Sequence, residues 1–329
     1  MFMKKYIFAI FVIFGLLVGC GPSDQGRDLK PIKFIIDWSP EPTYIGLYYA
    51  IDIGEFENAG YLTTVLPIKG ANRMIQAIGN GQHFVGISSG GATVLGRGKE
   101  SLPVKSLGVI YKDTSSVVYG IASKSMAKKP KDLEGMNVGL YHGSITNDEF
   151  EAFIEANNLD ESKINKVALT HGEISLLLAG QLDAVLQYNE LSPQRVDVRE
   201  DIPEVDDERA WRLLLRDYGV KSYGVNLVTS DKALEEQGDE LKKIAQAVYN
   251  GYEKACDNQS DAASKFVERF PATDKNYVVR SISIVCDQLI QPVGSQTEKG
   301  WQDTIDMFVG LGLLEKGAVK PQDVLIKTN

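Results

Sequence analysis

The fold is decided by residues 37–60, which read DWSPEPTYIGLYYAIDIGEFENAG. The residues before them, Phe34–Ile36, form a short apolar run typical of a buried strand, and the prolines that follow end it because proline restricts φ. From Tyr44 the apolar spacing becomes helical. Asp37 and Trp38 are therefore predicted at the carboxyl end of a strand, which is where open α/β sheets bind ligands.

A helix, a glycine turn and a strand recur in the same order about a hundred residues apart. The first copy has a helix at 74–78 and a strand at 84–88, and the second has a helix at 174–179 and a strand at 184–188. Glycine commonly ends a helix, and the apolar run after it is typical of a buried strand. The chain of 329 residues also exceeds what one hydrophobic core usually serves, so the sequence predicts two α/β lobes with a cleft between them.

The N-terminus has the pattern of an export signal. Two lysines precede an apolar run at residues 6–18, which is too short and too terminal to favour a spanning helix. The run ends in Leu17-Val18-Gly19-Cys20, which resembles the bacterial lipoprotein signal, so Cys20 is the predicted lipidation site. A plain signal peptide or an uncleaved anchor are the alternatives. Residues 21–30 are polar and predict a tether between the membrane and the folded body.

Charge and residue usage exclude some classes of function. The formal net charge of −9 and the lack of a Lys/Arg cluster argue against a nucleic-acid partner. The histidines at 83, 142 and 171 do not have metal-ligand spacing, so no metal and no cofactor is expected. Cys256 and Cys286 could pair after export, but sequence alone leaves their pairing open.

One motif raises the question of catalysis. Residues 86–90, GISSG, fit the G-x-S-x-G pattern of a hydrolase nucleophile elbow, with Ser88 as the nucleophile. His142 or His171, after Asp113, could formally complete a triad. No companion oxyanion glycine motif lies upstream, and glycine patterns arise easily where a strand turns into a helix. A pocket loop whose hydroxyl and N–H groups touch a ligand is the favoured interpretation, and no enzyme is predicted.

Polar and aromatic residues gather where the predicted lobes would face each other. Trp38 is expected to stack on a flat ligand, while Asp37 and Glu190 offer carboxylates from opposite lobes to a ring that bears N–H or amino groups. Ser144 precedes a helix whose N-terminal N–H groups favour an anion, with simple helix capping as the alternative. The candidate ligand-binding residues are Asp37, Trp38, Tyr44, Ser88, Ser89, Thr114, Ser115, Tyr119, Gly143, Ser144, Tyr188, Glu190 and Tyr223.

Several motifs together resemble one family. They are Asp37-Trp38-x-Pro40, Gly46-Leu47-Tyr48-x-Ala50, Gly54-x-Phe56, Pro130-x-Asp132-Leu133-x-Gly135 and Ala179–Ala184. They resemble the substrate-binding proteins of ABC importers for thiamine-pyrimidine precursors, riboflavin-type compounds and aliphatic sulfonates. The resemblance implies an α/β, two-lobed type II periplasmic binding protein fold with a mostly parallel sheet in each lobe and a helical C-terminal part. Tyr44 stands where many members have His, which leaves the bound heterocycle open.

The chain is expected to divide into lobes joined by two hinges. The parts are a signal peptide at 1–19, a tether at 20–30, a discontinuous first lobe at 31–119 and 223–329, a second lobe at 120–222, and hinges near 119–120 and 221–224.

The resemblance further implies an extracytoplasmic solute-binding protein. It would capture a small aromatic or heterocyclic metabolite, such as a thiamine pyrimidine precursor or a riboflavin-like compound, by closing the hinge. The expected partners are this small molecule, an ABC permease with its ATPase, and a bacterial membrane reached through Cys20, and the chain is expected to be a monomer. A binding protein for aliphatic sulfonates or taurine is the alternative. A surface adhesion or sensory module of the same fold is a third possibility.

Overall fold

The computed structural model describes residues 28–326, which form two α/β lobes. The strands are β1 (Lys30–Ile36), β2 (Tyr61–Pro67), β3 (Val85–Ser89), β4 (Val104–Val109), β5 (Ser116–Ile121), β6 (Asn137–Tyr141), β7 (Asn165–Leu169), β8 (Ala184–Tyr188), β9 (Ala210–Leu214) and β10 (Val225–Ser230). The helices are α1 (Ile45–Asp52), α2 (Glu55–Asn58), α3 (Ala71–Gly79), α4 (Gly90–Gly98), α5 (Ile145–Ala156), α6 (Glu173–Leu178), α7 (Ser192–Asp197), α8 (Asp231–Asp257), α9 (Gln259–Arg269), α10 (Lys275–Gln288), α11 (Glu298–Gly310) and α12 (Pro321–Val324).

Each lobe is built around one five-stranded sheet. The first sheet has the order β2-β1-β3-β10-β4, and the second has the order β7-β6-β8-β5-β9. In the first sheet β1 runs parallel to β2 and β3, whereas β10 is antiparallel to β3 and β4. In the second sheet β6 runs parallel to β7 and β8, whereas β5 is antiparallel to β8 and β9. The sheets are therefore mixed rather than mostly parallel, because β5 and β10 each enter their sheet from the other lobe.

The two crossovers lie side by side at the base of the lobes. Residues 110–115 carry the chain from β4 to β5, and residues 215–224 carry it from β9 back to β10. The first boundary was expected at 119–120, but Tyr119 and Gly120 pair with β9 inside the second sheet. All of β5 therefore belongs to the second lobe, and the crossover comes earlier in the chain. The second expected hinge, 221–224, falls within the second crossover.

The C-terminal helices pack mainly on the first lobe. Gly251 of α8 lies against Gly46 of α1, where a Cβ at Gly251 would come within 2.1 Å of the Gly46 carbonyl oxygen. Buried side chains of α8, α9 and α10 complete the core above β1, β3 and β10. A disulfide between Cys256 and Cys286 joins α8 to α10, with 5.5 Å between the two Cα atoms. The pairing that the sequence left open is thus formed.

The predicted signal peptide at 1–19 and the predicted lipidation site at Cys20 lie outside the described residues. Within residues 28–326, every helix is too short or too polar to cross a bilayer.

Candidate functional site

A cleft between the lobes encloses a cavity of about 750 Å³, including the space at its open mouth. The carboxyl end of β1 delivers Asp37, the end of β3 delivers Ser88 and Ser89, and the end of β8 delivers Tyr188. Loops that follow strands at their carboxyl ends supply much of the remaining wall. The cleft therefore lies where parallel strands of both sheets end, as expected for an α/β ligand site.

Eight of the residues predicted from the sequence line this cleft. The first lobe supplies Asp37, Trp38, Tyr44, Ser88 and Ser89, and the second lobe supplies Gly143, Ser144 and Tyr188. Trp38 stands at the mouth with 40% of its surface exposed, so an aromatic face is available to a ligand.

Asp37 is the polar centre of the first-lobe wall. The Tyr44 hydroxyl donates to its Oδ1 at 2.5 Å, and the Ser88 hydroxyl donates to its Oδ2 at 2.8 Å. Burial raises the pKa of Asp37, and these two hydrogen bonds partly offset that rise because they favour the ionised form. Since both hydroxyl protons point at the carboxylate, the oxygens of Tyr44 and Ser88 can only accept hydrogen bonds from a ligand.

The bond from Ser88 to Asp37 also bears on the hydrolase interpretation. A nucleophilic serine gives its proton to a neighbouring base, which is a histidine in the usual triad. Here the Ser88 hydroxyl is held by a carboxylate, and the helix after it begins with Ser89 as its cap, which accepts from the N–H of Ala92. This geometry is that of a polar pocket loop.

The second-lobe wall has a similar arrangement with one important difference. Tyr141, the last residue of β6, lines the cleft and donates its hydroxyl proton to Glu173, so its oxygen can only accept a hydrogen bond from a ligand. The Tyr188 hydroxyl has no acceptor among the described residues. Burial raises the pKa of Tyr188 well above its ordinary value, and the nearby carboxylates of Glu149 and Asp37 raise it further. Tyr188 therefore stays protonated and can donate to a ligand.

The formal charge of the cleft is negative. Among the described residues that line it, Asp37 and Glu41 carry carboxylates, and none is Lys, Arg or His. Glu41 is paired with Arg195, whereas Asp37 is bound only by neutral hydroxyl groups. Among the described residues that line the cleft, Asp37 is thus the one carboxylate without a cationic partner.

Five predicted residues lie away from the cleft surface. Thr114 donates to the buried Glu149, and Ser115 donates to Glu190, which also accepts from Thr43 at 2.8 Å. These groups form hydrogen-bonded clusters beside the first crossover, behind the cleft floor. Burial raises the pKa of Glu190, and the bond from Ser115 partly offsets this.

The two remaining residues are core aromatics. Tyr119 is fully buried in the second lobe, in a hydrophobic cluster that includes Leu177 and Leu182. Tyr223 packs edge-on against Trp301, with ring centroids 5.1 Å apart, and its hydroxyl meets Thr297. Neither side chain reaches the cavity.

The cleft also contains residues that the list of candidates missed. They are Glu41, Thr43, Gly70, Ala71, Ile87, Tyr141, Ile145, Thr146, Gln187, Leu191 and Val225. A signal existed for Tyr141, which ends a strand, and for Gly70 and Ala71, which open the helix after β2. The rule that placed Asp37 at the cleft would have found these three.

Comparison with known proteins places this geometry in context. A family model described as NMT1/THI5 like matches residues 41–262. The curated formylaminopyrimidine-binding protein of Halalkalibacterium halodurans is 24% identical over 336 residues, which cover 96% of this chain and 97% of that protein.

Solved structures with the same architecture are more distant in sequence. The alkanesulfonate-binding protein SsuA from Xanthomonas axonopodis pv. citri bound to MOPS aligns with a TM-score of 0.69 at 14% identity, over 92% of this chain and 99% of that chain. The periplasmic aliphatic sulphonate binding protein SsuA from Escherichia coli gives a TM-score of 0.69 at 14% identity, over 91% and 93%. These matches confirm the predicted two-lobed type II periplasmic binding protein fold.

Proposed function

Because the chain belongs to the NMT1/THI5-like family, we propose that it captures a small heterocycle bearing amino or N–H groups, such as a pyrimidine precursor of thiamine, in the cleft between its lobes. The chain is a substrate-binding protein of an ABC-type importer rather than an enzyme. Its small-molecule cargo passes from the cleft to a permease that is driven by an ATPase.

The direction of the hydrogen bonds in the cleft supports this choice of ligand. Tyr44 and Ser88 donate to Asp37, and Tyr141 donates to Glu173, so the hydroxyl oxygens of these three cleft-lining residues remain as acceptors. Asp37 adds an acceptor with no cationic partner. An amino group on a ring satisfies several of these acceptors at once, while a ring nitrogen can accept from Tyr188. Trp38 offers a face on which the flat ring can stack.

A sulfonate is the competing ligand, and two features favour it. The N-termini of α4 and α5 face the cleft, where their dipoles favour an anion, and structural relatives bind sulfonates. However, the Ser89 and Ser144 hydroxyls already accept from N–H groups of these two helix ends. A sulfonate group has only acceptor oxygens. Its oxygens and the carboxylate of Asp37 would therefore face each other with no hydrogen atom to share. The amino heterocycle is therefore the better match.

The proposed role also fixes the location of the protein. We place it outside the cytoplasm as a monomer, held on a bacterial membrane by lipid at Cys20. Metabolic labelling with radioactive palmitate should mark the wild type but not Cys20→Ala, and equal labelling of both would remove the anchor from the proposal.

Calorimetric titration with four compounds tests the ligand class. We expect formylaminopyrimidine to bind with a Kd of about 1 μM or lower, an analogue without the ring amino group to bind about tenfold or more weakly, and MOPS and riboflavin to bind less well than formylaminopyrimidine. Asp37→Asn should remove the preference for the amino group, because an amide can present an N–H to the ring instead. The same change at Asp257, on the exposed end of α8, serves as the control. Binding of MOPS but not of formylaminopyrimidine would overturn the proposal in favour of the sulfonate.

A further inference from the structure

One ion pair joins the two lobes at the wall of the cleft. Glu41 follows β1 in the first lobe and lines the cavity, whereas Arg195 lies on α7 of the second lobe. Nη2 of Arg195 is 2.8 Å from both carboxylate oxygens of Glu41. The Arg195 side chain is 37% exposed and the Glu41 side chain only 15%, so solvent screens this pair incompletely.

Tyr277 of α10 fixes the geometry of this pair. Its hydroxyl donates to Oε2 of Glu41 at 3.0 Å, and its ring lies 4.6 Å from the guanidinium carbon of Arg195. A planar guanidinium can stack on the ring and bind the carboxylate at the same time, which an ammonium group does less well. Both Tyr277 and Glu41 belong to the first lobe, so Arg195 docks into a site prepared by the opposite lobe.

The same helix also supports the second-lobe wall. Ser192, at the start of α7, donates to Glu173, which accepts the hydroxyl proton of Tyr141 through its other oxygen. Both Glu41 and Tyr141 line the cleft. Helix α7 therefore contacts one cleft residue of each lobe, directly through Arg195 and indirectly through Ser192.

The ion pair between Glu41 and Arg195 determines how much negative charge the cleft presents to a ligand. With Arg195 in place, the charge of Glu41 is compensated, and within residues 28–326 Asp37 is then the one cleft carboxylate without a cationic partner. Without Arg195, Glu41 would stand in the partly buried wall as a second uncompensated carboxylate, and such a charge acts strongly on a nearby ligand because the local dielectric is low. A ligand with an additional positive charge would then gain relative to a neutral one.

We propose that Arg195 is a positioning residue for ligand binding: by pairing with Glu41 from the opposite lobe, it holds the lobes together and limits the negative charge that the cleft presents to a ligand. Its effect on selectivity rests on the proposed function, since the probes are an amino heterocycle and a charged derivative of it. Its effect on the lobes does not depend on the ligand.

Binding selectivity tests the action of Arg195 through Glu41. The probes are formylaminopyrimidine and an aminopyrimidine that bears an aminomethyl group, because an alkylamine carries one positive charge at neutral pH. In Arg195→Leu, the affinity for the amine relative to formylaminopyrimidine should rise by about tenfold or more, and in Glu41→Gln it should fall. Arg195→Lys keeps the charge but not the planar contact, so it should lie between the wild type and Arg195→Leu, and the double variant Glu41→Gln/Arg195→Leu should return towards the wild type. Equal weakening of both probes in Arg195→Leu would show a merely structural role and overturn the proposal.

Small-angle X-ray scattering without any ligand tests the contact between the lobes. We expect Arg195→Leu to have a larger radius of gyration than the wild type, and Arg195→Lys to have an intermediate or unchanged one. Identical scattering from wild type and Arg195→Leu would overturn the role of Arg195 in holding the lobes. If neither probe binds the wild type, the proposed function fails, and the scattering comparison alone then decides whether Arg195 joins the lobes.

Discussion

The Tyr44 hydroxyl donates a 2.5 Å hydrogen bond to Oδ1 of Asp37, so the residue just before α1 determines what the acid just after β1 can offer a ligand. The proton of the phenol is committed to the carboxylate. The oxygens of Tyr44 and Asp37 can therefore only accept hydrogen bonds from a ligand. The pair therefore selects for hydrogen-bond donors, whichever ring carries them.

Removing this bond should move the pH dependence of binding. In Tyr44→Phe, Asp37 loses a donor that stabilises its ionised form, so its pKa, already raised by burial, should rise further. A ligand that donates to Asp37 needs the carboxylate ionised, so its affinity falls as pH drops through that pKa. The fall should begin at a higher pH in Tyr44→Phe, as measured by calorimetric titration with formylaminopyrimidine between pH 4 and 8.

Tyr249→Phe is the matched control for this change. Its hydroxyl is buried, lies outside the cleft and has no hydrogen-bond partner among the described residues. Loss of the Tyr44 bond should lower the free energy of unfolding by about 1–2 kcal/mol, whereas loss of the Tyr249 hydroxyl should not. A pH profile of Tyr44→Phe that overlays the wild-type profile would exclude Asp37 as the acceptor for the ligand.

Trp38→Ala should weaken binding without unfolding the protein. Its side chain is 40% exposed at the mouth of the cleft, so little of the core depends on it. Loss of stacking should reduce the affinity for a planar heterocycle by about 1–3 kcal/mol, by analogy with bases stacked on aromatic side chains. Leu62→Ala is the control, because Leu62 is an exposed apolar residue, 56% accessible, on β2 away from the cleft. Unchanged affinity in Trp38→Ala would remove Trp38 from the site.

A second contact between the lobes, between α4 and Ile145, depends on a glycine. A Cβ at Gly91 of α4 would lie 2.9 Å from Cζ of Phe308 and 3.1 Å from Cγ1 of Ile145, which belongs to the second lobe. Gly91→Ala should therefore force these groups apart and disfavour the arrangement in which the lobes enclose a ligand. We expect calorimetric affinity for formylaminopyrimidine to fall by about tenfold, or about 1.4 kcal/mol, which is within the usual cost of overpacking.

A second glycine provides the comparison for this change. A Cβ at Gly310 of α11 would meet open space, so Gly310→Ala should leave binding unchanged while slightly stabilising the helix. Wild-type affinity in Gly91→Ala would mean that the Ile145 contact does not limit closure of the lobes.

The part of the site that could be predicted from sequence follows from local rules. Asp37, Ser88 and Tyr188 each lie at the carboxyl end of a strand that could be recognised from its apolar run, and all three line the cleft. Both copies of the helix, glycine and strand pattern were found in the structure, at α3–β3 and α6–β8. These features depend on chain neighbours, so one sequence is sufficient to predict them.

Other features depend on contacts between distant parts of the chain. Thr114 precedes β5 and Glu190 follows β8. Their side chains lie in buried hydrogen-bonded clusters beside the first crossover, because β5 joins the second sheet. The pairing of Glu41 with Arg195 spans 154 residues of sequence. Nothing in the local pattern around either residue indicates the other, so the charge balance of the cleft emerges only from the folded structure.

The buried acid beside the crossovers should make stability depend on pH. Glu149 is 2% exposed, and burial raises its pKa from 4.5 to about 7, although hydrogen bonds from Ser116 and Thr114 work in the opposite direction. The folded protein then binds more protons than the unfolded chain between these values, so the free energy of unfolding should decrease as pH rises through this range. Glu149→Gln replaces the carboxyl group with an amide that does not ionise. The free energy of unfolding of this variant should therefore not decrease over this pH range. The variant should match the wild type near pH 5 and exceed its stability by up to about 3 kcal/mol at pH 8, as measured by urea denaturation. Glu155→Gln, an exposed change on the same helix, controls for net charge, and parallel pH profiles for Glu149→Gln and wild type would rule out a change in the protonation of Glu149.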